Sequence, residues 1–290
     1  MPKLPVFYHV PKCAGTYVCD WLLLSFRYYR QTRTSWAEKY VPGKETIKLL
    51  QITKENHVIA KLLVGDPEHL IENSPDLSTV KKPEYFVDLN SRELKKILSS
   101  CPLFALIIGA AGFKLRDTLL QLFKGIKLHQ FLLLREPFER EQSIFNYLTS
   151  DKSVHEPTHA ALKYSTFEDY LRSKQLADSW LIKNLLALDD ACEITEAHYT
   201  ETLNLLNADF YVYTVNEADS ALQKTLSSCY NIDLNDVKAR ISDAIEKNKT
   251  IQKKLDFSTL SQKTRRIFEK RTTWDQKLYK HYSKKYDRSR

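Results

Sequence analysis

Short apolar segments that alternate with helical patterns are the feature that most constrains the fold of this chain. They cover residues 4–10, 58–64, 103–108 and 128–134. Segments this short and this apolar are typical of strands that are buried on both faces of a sheet. Strands that alternate with helices along a chain indicate a parallel sheet with helices on its faces. The sequence therefore predicts an α/β fold with a central parallel sheet flanked by helices.

The remaining segments complete the predicted organisation. Residues 30–54 are polar and predict a loop-rich region, whereas residues 114–123 predict a helix. After residue 150 the pattern is mostly helical, and Ser165 and Glu168 have the spacing of a capping box. A chain of 290 residues with 43% hydrophobic content can bury a full core. We expect one domain over 1–290, with an α/β part at 1–150 and a mainly helical part at 151–290.

Positive charge is concentrated at the end of the chain. Residues 263–290 carry eleven Lys/Arg and three Asp/Glu, a balance of +8 that equals the net charge of the whole chain. Such a segment suits contact with a polyanion, and the alternative is a solvated amphipathic helix. No recognisable nucleic-acid-binding module accompanies these residues, so we expect no nucleic-acid partner.

Cysteine spacing and hydropathy bear on metals, redox state and membranes. The five cysteines are scattered, with no CxxC pair and no His/Cys cluster spaced for zinc. We therefore expect reduced thiols and no metal. There is no signal peptide, and no apolar run approaches the ~18 residues of a membrane span. These patterns predict a soluble, cytoplasmic protein with no transmembrane segment.

The residues after the first apolar segment form a candidate anion site. Residues 8–17 read Tyr-His-Val-Pro-Lys-Cys-Ala-Gly-Thr-Tyr, which predicts a strand, a tight turn and a helix. The N–H groups and the positive dipole at a helix N-terminus attract a bound phosphate. Lys12 adds a full charge, Gly15 permits close approach of the backbone, and the Thr16 hydroxyl can donate a hydrogen bond. The alternative is an ordinary strand-to-helix turn with a solvated lysine.

A second candidate site follows the last of the apolar segments. Residues 132–143 read Leu-Leu-Leu-Arg-Glu-Pro-Phe-Glu-Arg-Glu-Gln-Ser. Arg135 stands at the carboxyl end of the strand, where ligands bind in open α/β sheets, and Ser143 lies two turns into the next helix. An arginine fork and a hydroxyl can hold one phosphate. The structural alternative pairs Arg135 with Glu139 and leaves Ser143 on a helix surface.

The two sites together resemble those of sulfotransferases that use 3′-phosphoadenosine 5′-phosphosulfate (PAPS). Residues 9–16 resemble the 5′-phosphosulfate motif, closest to the His-Ile-Pro-Lys-Thr-Gly-Gly-Thr form of carbohydrate-type (heparan-sulfate-2-O-like) sulfotransferases. Residues 132–143 resemble the 3′-phosphate motif, in which a serine follows Arg-[Asp/Glu]-Pro eight residues after the arginine. Softer resemblances cover residues 165–171, 210–217 and 274–279. The resemblance implies a P-loop-like sheet.

The resemblance also implies an activity and a set of site residues. The enzyme would move a sulfuryl group from PAPS, its co-substrate, to a hydroxyl or amine of a saccharide or small metabolite, and release adenosine 3′,5′-bisphosphate. Lys12 would be catalytic, at the oxygen that bridges sulfur and the 5′-phosphate. The 3′-phosphate would be bound by Arg135 and Ser143. The residues implied at the 5′-phosphate are Lys12, Cys13, Ala14, Gly15, Thr16 and Tyr17.

This chain departs from the family pattern at two places. Cys13 and Ala14 replace a Thr-Gly pair, and Ala110 occupies the position of the usual histidine base. His9 belongs to the motif but precedes the turn, so we interpret it as structural. A non-catalytic PAPS-binding or bisphosphate-binding protein of the same fold, which lacks the base, is the alternative function. A P-loop kinase is not expected, because the chain has no Gly-x-x-x-x-Gly-Lys-[Ser/Thr] run. Other candidate bases are His57, Asp66, His69, His155 and His159.

Overall fold

The computed structural model describes residues 3–32, 47–55, 57–65, 84–90, 92, 94, 95, 98, 103–149, 164–173, 178–230 and 255–287. The strands are β1 Leu4–Tyr8, β2 Ile47–Lys54, β3 His57–Gly65, β4 Glu84–Asp88, β5 Leu103–Ile108, β6 Leu128–Leu134 and β7 Tyr211–Thr214. The α-helices are α1 Gly15–Thr32, α2 Arg116–Leu122, α3 Pro137–Leu148, α4 Phe167–Arg172, α5 Trp180–Leu185, α6 Glu196–Asp209, α7 Ala218–Tyr230, α8 Gln262–Arg271 and α9 Thr273–Asp287. Turns of 3₁₀-helix span Ala110–Leu115, Val215–Glu217 and Phe257–Thr259.

The strands form one sheet in the order β4-β2-β3-β5-β1-β6-β7. At its centre β1 lies parallel to both β5 and β6, with Tyr8 opposite Ile108 on one side and Leu132 on the other. The carboxyl ends of these parallel strands therefore meet at one edge of the sheet. The predicted α/β class, with a helix-rich C-terminal half, is confirmed.

The sheet is mixed, where the sequence predicted parallel strands throughout. β3 is antiparallel to both β2 and β5, and β2 is parallel to β4. Only residues 55–56 connect β2 to β3, and a connection this short joins antiparallel strands alone. Glu55 has a left-handed backbone with φ of 51°, as hairpin turns require. β2 itself lies inside residues 30–54, which the sequence predicted as loop-rich.

Contacts divide the chain into two compact units. Unit 1 contains Met1–His9, Gly15–Leu132 and Asn216–Asn248, and unit 2 contains Val10–Ala14, Leu133–Val215 and Lys249–Arg290. The single domain over 1–290 stays a prediction. No helix among the described residues is both long enough and apolar enough to cross a membrane.

Unit 1 is built around the fully buried strand β1. The Tyr8 hydroxyl donates to Oε1 of Gln130 at 2.9 Å, and the edge of the Tyr8 ring meets the Phe113 ring. Beyond the strand, the N–H of His9 donates to the carbonyl of Ile108 at 2.9 Å. The end of β1 is therefore fixed against both neighbours, which sets where the following turn begins.

Unit 2 has a core of aromatic and aliphatic side chains from α3, α4 and α8. The Phe138 ring of α3 meets the rings of Phe167 and Phe268 edge-on, with centroid distances of 5.6 and 5.7 Å. Such edge-on pairs add to the free energy gained from burial. The buried members of this core are Phe138, Leu148, Phe167, Tyr170, Leu171, Leu260 and Phe268.

The predicted capping box at Ser165 is wrong by one residue. Thr166 caps α4 instead, since its Oγ1 accepts the N–H of Asp169 at 3.1 Å. Glu168 is therefore not the capping partner at the start of α4. It accepts hydrogen bonds from Ser261, which caps α8, and so links two helices of unit 2.

Candidate functional site

The turn between β1 and α1 has the backbone of an anion-binding loop. Lys12 and Ala14 have φ of 59° and 61°, both left-handed, and Cys13 between them does not. The N–H of Cys13 donates to the carbonyl of Val10 at 3.1 Å and closes the turn. Left-handed residues that alternate with right-handed ones gather N–H groups into a concavity that binds anions. The predicted tight turn is therefore present, with Lys12 at its tip.

Helix α1 continues directly from this turn along the chain, beginning at Gly15. Its first turn contains no acidic residue, so no side chain there offsets the positive end of the helix dipole. The first N–H groups of a helix have no acceptor within it. Thr16 is exposed at this start. Binding of a 5′-phosphate by these donors stays a prediction.

Gly15 and Tyr17 both make contacts within unit 1 that the sequence did not predict. A Cβ atom at Gly15 would come within 1.9 Å of Nε2 of His9, so glycine is needed there to accommodate the imidazole. The His9 ring also stacks on Phe7, with 5.8 Å between centroids, which fits a structural role. The Tyr17 hydroxyl donates to Asp219 of α7, and burial raises the pKa of Tyr17 to about 12.

Arg135 is brought against the turn in unit 2. Its Nη1 donates to the carbonyl of Lys12 at 3.4 Å, and its backbone N–H donates to the sulfur of Cys13. The structural alternative holds in part, because Nε of Arg135 lies 3.5 Å from Oε2 of Glu139. Ser143, however, is buried and does not lie on the helix surface. The two predicted motifs are thus neighbours.

Helix α3 begins at Pro137, a residue that favours the first turn of a helix. Glu136 caps the helix, because its side chain accepts a hydrogen bond from the N–H of Glu139 at 2.8 Å. This start places Tyr147 one turn beyond Ser143, on the same side of the helix. The Lys12 ammonium lies 3.3 Å from the centroid of the Tyr147 ring, a cation–π contact. Lys12 is therefore held by an aromatic face, which excludes the solvated lysine of the alternative interpretation.

A buried cluster of charges, which the sequence did not predict, supports α3 from within. We call Arg140, Glu141, Tyr170 and Asp275 the Arg140 cluster. Arg140 donates to Oε1 of Glu141 at 2.8 and 3.0 Å and to Oδ2 of Asp275 at 3.0 Å. The Tyr170 hydroxyl donates to Oε2 of Glu141 at 2.6 Å. Charged residues on an amphipathic helix are usually solvated, so sequence pattern does not reveal that Arg140 and Glu141 turn inward.

Cys13 lies beside this cluster as an uncharged thiol. Burial raises its pKa to about 11, although Arg140 and Arg135 act in the opposite direction. A small cavity of about 10 Å³ lies next to it and is lined in part by Arg135 and Asp275. Burial also raises the pKa of Asp275. The thiol therefore acts as a packing group, and the backbone of the turn remains available to an anion.

Two of the positions that bear on the predicted general base, Ala110 and His57, lie within the described residues. Ala110 is exposed at the carboxyl end of β5, where the family resemblance would place a histidine. Because Ala60 of antiparallel β3 pairs with Ile108 of β5, the start of β3 at His57 lies at the same sheet edge. His57 is exposed. Asp66, His69, His155 and His159 lie outside the described residues. Within the described ranges, no group of three His, Cys, Asp or Glu residues could hold a metal.

The candidate site combines positive charge with a turn of the backbone. In unit 2, two cationic side chains, Lys12 and Arg135, adjoin a turn with concave backbone geometry, a combination that binds phosphate or sulfate groups. No model of a known protein family matches this chain, and no curated protein matches it.

Proposed function

We propose that this protein is a PAPS-dependent sulfotransferase with a saccharide or small-metabolite acceptor. The observation that carries the proposal is the hydrogen bond from the Arg135 guanidinium to the carbonyl of Lys12. It makes neighbours of two motifs that lie more than a hundred residues apart in the chain. A nucleotide with a phosphosulfate on its 5′ carbon and a phosphate on its 3′ carbon requires two such neighbouring anion sites.

The 5′ side of the donor would be bound by backbone donors and by Lys12. The N–H groups of the turn would hold the 5′-phosphate. As the bond between sulfur and the bridging oxygen breaks, negative charge develops on that oxygen, and the Lys12 ammonium would stabilise it. The acceptor oxygen or nitrogen forms the new bond to sulfur and gives its proton to a base. Adenosine 3′,5′-bisphosphate leaves.

The 3′-phosphate would be bound by Arg135. Its Nη2 makes no hydrogen bond to the residues that the structure describes, so one arm of the guanidinium is available to a phosphate oxygen. Ser143 would add a hydroxyl donor from α3. A contact to the 3′-phosphate distinguishes PAPS from ATP, which has no phosphate at that position.

Replacement of the lysine tests the assignment of Lys12. We expect Lys12→Ala to abolish transfer of ³⁵S-labelled sulfuryl groups, because the charge on the leaving oxygen is no longer stabilised. Binding of adenosine 3′,5′-bisphosphate should remain measurable by calorimetry, since the backbone donors are unchanged. Lys124→Ala, at an exposed lysine after α2, is the matched control and should retain full activity. Full activity of Lys12→Ala would refute the role of Lys12.

A comparison of two donors tests the assignment of Arg135. We expect Arg135→Ala to raise the KM for PAPS and to leave the KM for adenosine 5′-phosphosulfate, which has no 3′-phosphate, nearly unchanged. The difference arises because only PAPS can use the guanidinium. If the KM for PAPS does not change, Arg135 does not bind the 3′-phosphate.

Ala110 stands where the family resemblance would place a histidine base. The alternative function, a non-catalytic PAPS-binding or bisphosphate-binding protein, is favoured by this substitution. A positioned base contributes ~10²–10⁴-fold to rate. Incubation with labelled PAPS and a panel of saccharides and metabolites separates the two functions. Binding without transfer to any acceptor would favour the binding protein. Transfer that falls ~10²-fold or more in His57→Gln, with the donor KM unchanged, would identify His57 as the base.

A further inference from the structure

We infer that one buried water molecule bridges Asp275 and Arg135 in unit 2, and that Asp275 is through this water the positioning residue for Arg135. The water site stands on the structure alone. The consequence for ligand recognition rests on the proposed function.

The cavity between these residues has the size of a single water site. Its volume is about 10 Å³, and its walls include Arg135, Asp275 and Tyr279. A buried water needs roughly 10–15 Å³ of such space and two to four polar partners. Dry cavities of proteins are lined by apolar groups alone, whereas this one has charged groups in its wall. The site therefore meets the condition of size, and charged groups interrupt a wall that also contains apolar side chains such as Leu134 and Leu278.

Two buried polar atoms in residues of the cavity wall have no hydrogen-bond partner among the described residues. They are Oδ1 of Asp275 and Nε of Arg135, which lies 3.5 Å from Oε2 of Glu139 without forming a hydrogen bond to it. The Asp275 side chain is only 4% exposed, and its other oxygen accepts from Arg140. A buried polar atom without a partner destabilises the folded protein, so such atoms are normally satisfied by protein or by water.

One water satisfies both atoms at once. Nε of Arg135 donates its hydrogen to the water oxygen, and the water donates one of its own hydrogens to Oδ1 of Asp275. No direct bond joins the two side chains. Donors and acceptors are then complementary, and the cavity needs to hold nothing else.

This bridge would fix the orientation of the guanidinium. Nε is directed to the water and Nη1 to the carbonyl of Lys12, so the plane of the guanidinium is set by two contacts and Nη2 remains for a ligand. Asp275 is itself held by Arg140, which is buried and paired with Glu141. Helix α9, through Asp275, therefore determines where Arg135 directs its remaining donor.

A crystal structure of the unmodified protein tests the water directly. At a resolution that defines ordered water, we expect one molecule within about 2.7–3.2 Å of both Nε of Arg135 and Oδ1 of Asp275. An empty cavity, or direct contact between the two side chains, would overturn the inference. This measurement does not depend on any activity.

Ligand discrimination tests the positioning role. The ratio of the dissociation constants for adenosine 5′-monophosphate and adenosine 3′,5′-bisphosphate measures the contact with the 3′-phosphate. We expect Asp275→Asn to lower this ratio about tenfold, which corresponds to about 1.4 kcal/mol and to one displaced hydrogen bond. Calorimetric titration of the folded variant with both nucleotides gives the ratio.

Tyr170→Phe is the matched control, because it removes a hydrogen bond from the Arg140 cluster without touching the cavity. Both variants should lower the Tm, but only Asp275→Asn should lower the ratio. A wild-type ratio in folded Asp275→Asn would overturn the positioning role. If Asp275→Asn does not fold, the crystal structure still decides the water site. If the wild-type protein does not bind adenosine 3′,5′-bisphosphate more tightly than adenosine 5′-monophosphate, the proposed function is wrong. The crystal structure then still decides whether the water is present.

Discussion

Ala14 is one of two residues in the turn that have a left-handed backbone. A left-handed backbone costs a residue with a Cβ roughly 1–2 kcal/mol, and Ala14 has φ of 61°. We expect Ala14→Gly to stabilise the protein by about 0.5–1 kcal/mol. This net value is smaller than the backbone cost because glycine also raises the conformational entropy of the unfolded chain. Chemical denaturation measures this difference.

The control for that substitution is Ala111→Gly. Ala111 likewise lies in a turn after a strand, but it is exposed and its φ is not left-handed. Glycine should therefore destabilise the protein there by ~0.5–1 kcal/mol. If both substitutions destabilise the protein equally, the backbone at Ala14 is not strained.

The contact between Lys12 and Tyr147 predicts a second residue-scale effect. Tyr147→Phe keeps an aromatic face beneath the ammonium, whereas Tyr147→Leu removes it. We expect the NMR signals of the Lys12 side chain to keep their upfield ring-current shift in Tyr147→Phe and to lose it in Tyr147→Leu. Lysine signals with the same shift in both variants would contradict the contact.

The predictability of the site differs from residue to residue. Lys12 and Arg135 could be located because each stands where an apolar strand ends, a position that sequence pattern reveals. Arg140 and Asp275 could not, because their burial depends on pairing over 135 positions of sequence. Isolated charges in helical patterns predict solvent exposure, and only the folded structure shows that these two charges compensate one another.

At the scale of elements, Glu168 joins α4 to the start of α8. It accepts hydrogen bonds from the backbone and hydroxyl of Ser261 and from the hydroxyl of Thr264, at 2.6–3.0 Å. These donors favour the carboxylate, and with the hydroxyl of Ser261 as the largest cause they lower the pKa of Glu168 from 4.5 to about 2. The contact between α4 and α8 therefore depends on the ionisation of Glu168.

The sign of the pH dependence follows from that pKa. Because the pKa of Glu168 is lower in the folded protein, its contribution is complete above about pH 4.5 and is lost as the pH falls towards 2. We expect Glu168→Gln to lower the Tm at pH 6 and to differ less from the wild type at pH 3. Glu201→Gln, at an exposed carboxylate of α6, is the control. A difference in Tm that is the same at both pH values would contradict the link.

Sequence pattern missed strand β2, whose residues are of mixed polarity. β2 reads Ile-Lys-Leu-Leu-Gln-Ile-Thr-Lys, and its polar residues resemble those of the sequence before it. The segments at the sheet centre, such as β5, are apolar throughout and were predicted correctly. Burial on both faces produces a clear signal, whereas a strand of mixed polarity does not, so the antiparallel part of the sheet could not be predicted.

At the scale of the whole molecule, the excess positive charge lies within residues 263–290. The structure gives acidic partners to two of these basic residues. Arg271 and Lys277 already have acidic partners, Asp178 at 2.6 Å and Glu196 at 2.9 Å. On α8, by contrast, Lys263, Arg266 and Lys270 are exposed at spacings of three and four residues, which places them on one side of the helix. A polyanion would therefore contact α8.

Heparin chromatography tests this assignment. We expect the triple variant Lys263→Gln, Arg266→Gln, Lys270→Gln to elute at lower salt than the wild-type protein. With fewer charged contacts, binding to heparin releases fewer counterions and is therefore weaker. The logarithmic dependence of affinity on salt should fall by about two to three units of slope. Lys277→Gln is the matched control, since its ammonium is paired with Glu196 and lies over the Trp274 ring. If the triple variant elutes with the wild type, α8 does not bind the polyanion, and its basic residues are a solvated helix face.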